Sequence, residues 1–184
     1  YAMRVLFGVK IYSSQLFLAG IHVAVFLVSA YLLLKELFAW DGTAVLALAL
    51  FLTVDLLCID EIFSMSRLQW TLPQEFGLYT QFLCALFLLR CLKTDFSDRS
   101  GSRRERIRKF LTDENLLLFL LSLSASLAIH FYVTMMAFFL CVVIATCRLP
   151  SLFQKRRFVS LVKAVCLGVL IAVLPMGIAY AKGV

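Results

Sequence analysis

Five apolar runs dominate this chain, and the polar residues between them come in short bursts. The runs are Ile11 to Leu34, Thr43 to Phe63, Phe76 to Leu92, Leu116 to Cys147, and Leu161 to Tyr180. Each reads as a helix for an apolar environment. A bilayer-spanning helix needs about 20 predominantly apolar residues. The fourth run is the longest: its 32 residues contain no Lys, Arg, Asp or Glu. As one helix it would measure about 48 Å, against a hydrocarbon core of about 30 Å. As two helices each arm is short, and the first, Leu116 to His130, rises only about 21 Å.

Charge decides between these options. Of the 18 Lys and Arg residues, 13 fall in two clusters, Arg90–Lys109 and Arg148–Lys163. Cationic loops translocate poorly and collect on the cytoplasmic side. Both clusters flank the fourth run, so that run crosses an even number of times. It reads as a hairpin with its apex at His130-Phe131-Tyr132. The fold class that follows is all-α: a polytopic transmembrane helical bundle of about six crossings, one pair of them the short hairpin. Residues 1–184 form one transmembrane domain with both termini outside. Loops 93–115 and 148–160 are expected in the cytoplasm, and the membrane is expected to be a bacterial plasma membrane. The start at Tyr1, the absence of a recognisable signal peptide and the parity of crossings suggest a piece of a longer protein.

Composition supports the membrane class. The chain is 62% hydrophobic and 16% charged, where soluble domains carry about 25% charged residues. The net charge of +7 follows from the cytoplasmic loops and is no evidence for nucleic acid. Residues 94–114 form the longer basic loop, in which Arg103–Leu111 reads as a short amphipathic surface helix. Arg99, Arg103, Arg104, Arg106, Arg108 and Lys109 there suit anionic lipid headgroups. Thr112-Asp113-Glu114 then reads as a helix start with a capping hydroxyl and acids in the first turn. The six cysteines, with no C-x-x-C pair, read as small packing residues.

The topology gathers the candidate chemistry at the extracytoplasmic face. Asp60, Glu61, Arg67, Trp70, Glu75, His130 and Tyr132 all fall there. Asp55 lies about 18 Å into its span. An ionisable group within a span is costly and suggests function, yet Asp55 can also pack against Ser, Gln or His22 of a neighbouring span. Asp60 and Glu61 point about 100° apart on a helix, so they form no ready dyad. Asp60 suits a base, a metal ligand or a plain interfacial acid. Arg67 and Trp70, three apart, suit a phosphate or sugar, or a headgroup anchor. A neutral His130 can hydrogen-bond a ligand, shuttle a proton or cap its own helix, and Tyr132 lies beside it. Ser122, Ser124 and Ser126 form no single stripe and are expected to bond backbone carbonyls or tighten packing. Gly168 reads as an isolated small residue. No G-x-S-x-G, H-E-x-x-H, Walker or G-x-G-x-x-G motif occurs, and no cofactor is implied.

Ser126–Leu140, S-L-A-I-H-F-Y-V-T-M-M-A-F-F-L, resembles a hairpin of bacterial YfhO-type and related multispan GT-C glycosyltransferases. Gly20–Phe38 followed by Thr43–Phe51 resembles their paired spans with a short turn. The resemblance implies transfer of a sugar from a polyprenyl-phosphate donor at the outer face, with an acidic base in an early outer loop. That loop would precede Tyr1, so the base maps to no residue here. Asp60, Glu61 and His130 are the catalytic candidates, and Asp55, Arg67, Trp70 and Tyr132 the substrate-binding ones. The alternatives are a small substrate-binding membrane subunit of a solute transporter and a non-catalytic membrane scaffold.

Overall fold

The computed structural model describes residues 8, 11–38, 40–57, 77–93 and 112–182. They divide into two compact units, one within Tyr1–Tyr79 and one within Thr80–Val184. Every regular element among the described residues is a helix, as the all-α class requires.

The first unit contains α1 (Ile11–Leu37) and α2 (Asp41–Leu57). α1 runs three residues past the expected stop at Leu34. Lys35 and Glu36 do not break it, because a cation in the last turn complements the helix dipole. The turn is tighter than Trp40-Asp41-Gly42. The Trp40 carbonyl accepts from Thr43 N at 3.1 Å and Ala44 N at 3.2 Å, which starts α2 at Asp41. At Gly42 a Cβ would meet the exposed Trp40 ring at 3.3 Å, so a larger residue there would shift that ring by a few tenths of an ångström. Lys35 Nζ lies 3.2 Å from Asp41 Oδ1 across the turn, exposed to solvent.

The second unit contains α3 (Tyr79–Lys93), α4 (Glu114–Ile129), α5 (Phe131–Cys147), the single turn α6 (Leu149–Leu152) and α7 (Lys155–Ala181). The cap of α4 is Asp113, not the Thr112 hydroxyl. The Asp113 carboxylate accepts from Leu116 N at 3.2 Å. A carboxylate satisfies an otherwise unpaired N–H and also favours the positive end of the helix dipole. α7 begins six residues before the expected Leu161, because nothing in Lys155–Ser160 opposes helix.

Packing follows small and polar stripes. On α1 the buried residues are His22, Phe26, Ser29, Ala30 and Leu33, while Phe17, Ile21, Val25 and Val28 are exposed. On α7 the buried stripe is Leu161, Ala164, Gly168 and Ala172, while Val169, Leu170, Val173 and Leu174 are exposed. Gly168 is therefore not isolated. It lies four residues from an alanine on either side, so all three share one face. A Cβ at Gly168 would meet Ser124 Oγ at 3.3 Å and Leu120 O at 3.5 Å. Ser124 Oγ donates to Leu120 O at 2.8 Å and Gly168 O at 3.1 Å. Small residues let two backbones approach, and a hydroxyl bridges them.

The serines divide by face. Ser122 and Ser126 donate to Phe119 O at 3.0 Å and Leu123 O at 2.8 Å. Four residues apart, both meet the thiol of Cys84 on α3, while Ser124 meets α7. The expectation that these serines bond carbonyls and tighten packing therefore holds. Two of the three share a stripe, which alternation alone conceals. α3 is the best covered helix, with nine of its 15 residues buried. Cys84 and Cys91 are buried and reduced, Cys141 is half-buried, and Cys147 and Cys166 are exposed.

Candidate functional site

α4 and α5 are joined by one residue. His130 has φ −166° and ψ 142°, fully extended, and that single residue redirects the chain between two packed helices. The exit and entry bonds are specific. His130 N donates to Ser126 O at 3.3 Å and closes α4. Its Nδ1 accepts from Tyr132 N at 3.2 Å and caps α5. Thr134 Oγ1 donates to Ser126 O at 3.0 Å and to His130 O at 3.2 Å. Helix ends leave orphan N–H and C=O groups, and these three side and main chains satisfy several of them at one point.

The cap restricts the chemistry of His130. A neutral imidazole has one donor nitrogen and one acceptor nitrogen. With Nδ1 accepting from the backbone, the proton lies on Nε2. His130 is exposed, so the ring offers a hydrogen-bond donor outward. A base acting through Nε2 would need the other tautomer and would lose the cap. The arrangement thus suits hydrogen bonding to an acceptor such as a phosphate or carbonyl oxygen. Phe131, 75% exposed, and the exposed Tyr132 flank it.

Of the seven site candidates, the described structure brings together His130 and the backbone of Tyr132. Asp60, Glu61, Arg67 and Trp70 lie outside the described residues, as do Glu75 and the headgroup candidates Arg99, Arg103, Arg104, Arg106, Arg108 and Lys109. The backbone of Asp55 belongs to α2, while its side chain lies outside the described set. α1 and α2 pack together on either side of a short turn, so they run antiparallel. Counted from that turn, residue 55 and residue 22 lie at the same level, about 24 Å away. His22 is buried at 1% exposure, in the part of α1 long and apolar enough to span a bilayer.

One polar centre was not foreseen. Arg157 is 2% exposed, and its Nη1 donates to Leu92 O at 2.8 Å and to Ser151 O at 3.0 Å. It ties the end of α3 to α6 and to the start of α7. The sequence Lys155-Arg156-Arg157 carries no signal that distinguishes the third residue. The spacing Ala164, Gly168, Ala172, by contrast, was readable as a close-packing stripe.

Among the described residues no group of three His, Cys, Asp or Glu could hold a metal ion. No family profile, curated protein or solved structure matches the chain.

Proposed function

We propose that this chain is the membrane-embedded part of a multispan enzyme of the GT-C type, moving a sugar from a polyprenyl-phosphate donor at the extracytoplasmic face. The observation that carries the membrane reading is the open apolar face of α1 and α7. Their covered stripes mix apolar residues such as Phe26 and Leu161 with His22, Ser29, Ala164 and Gly168, and their open faces hold Phe17, Val28, Leu170 and Leu174. Water disfavours such a surface, since large contiguous apolar patches mark interfaces or membranes. Lipid favours it, because helix association there depends on small residues and hydrogen bonds. Phe17–Leu37 and Arg157–Pro175 are long and apolar enough to cross.

In this reading the chain crosses six times. α4 and α5, with 16 and 17 residues, form a hairpin of two short crossings about 24 to 26 Å long. Their junction then lies near the outer surface. His130 contributes an Nε2–H donor toward the donor phosphate, and Tyr132 lies at the headgroup level. The early outer loop that carries the base in the family would precede Tyr1; in its place Asp60 or Glu61 supplies the base from the later segment between the second and third crossings. The stripe of Ala164, Gly168 and Ala172 faces α4, which removes it as a docking surface for a transporter partner and weighs against the binding-subunit alternative.

The test reconstitutes the full chain in vesicles and follows sugar release from polyprenyl-phosphate donors. Retention through an alkaline wash, with transfer lost in Asp60→Asn and reduced in His130→Ala but kept in Glu75→Gln, is the expected result. Release by the wash sinks the membrane reading. Retention without transfer from any such donor sinks the enzyme and leaves the scaffold. Equal residual transfer in all three variants sinks this placement of the site.

A further inference from the structure

Between α5 and α7 the chain turns through α6, and this turn combines exposed apolar residues with a basic stretch of sequence. Phe153 is 67% exposed and Phe158 43%, and their rings stack at 6.2 Å between centroids. Leu149 is 42% exposed beside them. Stacked rings facing outward from a turn have no reason to persist in water, where burying them would be favourable. Basic residues interleave with these apolar ones. Arg148 is exposed, and Lys155 and Arg156 open α7. No acid occurs between Glu114 and the end of the chain, so nothing in this turn neutralises them. Arg157, the next residue, turns inward to the carbonyls of Leu92 and Ser151. That anchor holds the turn against the end of α3, which itself closes with Arg90 and Lys93.

We infer that the α5–α7 turn is an anionic-lipid clamp: Phe153, Phe158 and Leu149 enter the acyl boundary while Arg148, Lys155 and Arg156 take phospholipid headgroup phosphates. The inference rests on the membrane reading above. Interfacial segments of this kind place Phe and Leu into the headgroup–acyl boundary and basic residues on the headgroups. The charge pattern selects the occupant. Apolar rings alone would accept any lipid, whereas three cations in a stretch of sequence that holds no acid select an anionic one.

The experiment measures binding of phosphatidylglycerol and phosphatidylcholine to the purified full chain in detergent by native mass spectrometry. Wild type is expected to prefer phosphatidylglycerol, less so as salt rises. Each cation near an anionic surface contributes about fivefold, so R148Q/K155Q/R156Q should lose on the order of 100-fold of that preference. F153S/F158S should weaken both lipids alike. Arg157 is kept in every variant, and helix content by circular dichroism verifies folding. An unchanged phosphatidylglycerol preference in the folded triple variant overturns the clamp. Inorganic polyphosphate binding to wild type as tightly as phosphatidylglycerol, and lost with it in the triple variant, also overturns it, in favour of a soluble polyanion site. Failure of the membrane reading is distinct, because the chain would then leave vesicles in an alkaline wash.

Discussion

α5 begins and ends on turns of opposite chemistry. At its start, an acceptor is needed for the orphan N–H groups, and His130 Nδ1 supplies it to Tyr132 N. Beyond its end, orphan carbonyls need donors, and the Arg157 guanidinium supplies them to Leu92 and Ser151. The first turn is exposed and carries no Lys, Arg, Asp or Glu. The second buries one cation and is surrounded by others. The two side chains serve different helices: His130 caps the start of α5, whereas the carbonyls that Arg157 holds belong to the end of α3 and to α6. Helix starts expose donors where helix ends expose acceptors. The contrast also bears on orientation, because an uncharged turn can be translocated and a cationic one resists it. On the membrane reading proposed above, one helix would thus join a turn suited to the outer face to a turn suited to the inner face.

The largest test of this contrast is Arg157→Met. It leaves two carbonyls without their charged donor and should lower stability by about 3 kcal/mol, read from thermal unfolding of the purified chain in detergent. Arg157→Lys should recover part of the loss, since one ammonium is a compact donor rather than a planar fork. A neutral Arg157→Met would mean that the inner turn does not depend on this anchor. Gly168→Leu comes next. It forces a side chain into Ser124 Oγ and Leu120 O and should cost about 2 to 3 kcal/mol, whereas Gly168→Ala should cost under about 1 kcal/mol. If both are silent, α4 and α7 are held by their turns and not by the stripe.

His130→Ala should cost about 1 kcal/mol, the usual loss of a cap, with His130→Asn close to wild type. The same pair separates structure from chemistry in the transfer assay. If His130 acts only as a cap, Asn restores both stability and transfer. If its Nε2–H holds the donor, Asn restores stability alone. The smallest effect is expected at the remaining turn. Lys35→Gln removes an exposed ion pair with Asp41 and should leave the unfolding midpoint unchanged, because exposed pairs contribute little. A clear drop would show that this turn, too, depends on a specific contact.

Much of the architecture was legible because it depends on local pattern. The apolar runs predicted the helices. The length of Leu116–Cys147 predicted a break, and the break lies at His130 as expected. Ends were less legible. α1 passes Lys35-Glu36 and α7 starts at Lys155, because polar residues at helix ends are compatible with helix and mark no boundary. The site was legible only as a list of ionisable residues. His130 was readable as ligand donor, shuttle or cap, and only the extended backbone at that position, with Nδ1 accepting from Tyr132 N, shows the cap.

By itself, the sequence determined the helical class, the break in the fourth run and the segregation of basic residues, all of which follow from composition and spacing along one chain. The tertiary structure decided which of three successive basic residues turns inward, which serines share a face, and that Gly168 belongs to a packing stripe. Those outcomes depend on what lies opposite: Leu92 is 65 residues from Arg157 and Gly168 is 44 from Ser124. Whether a buried donor or a missing side chain is favourable is set by the group it meets, and no local pattern encodes that group.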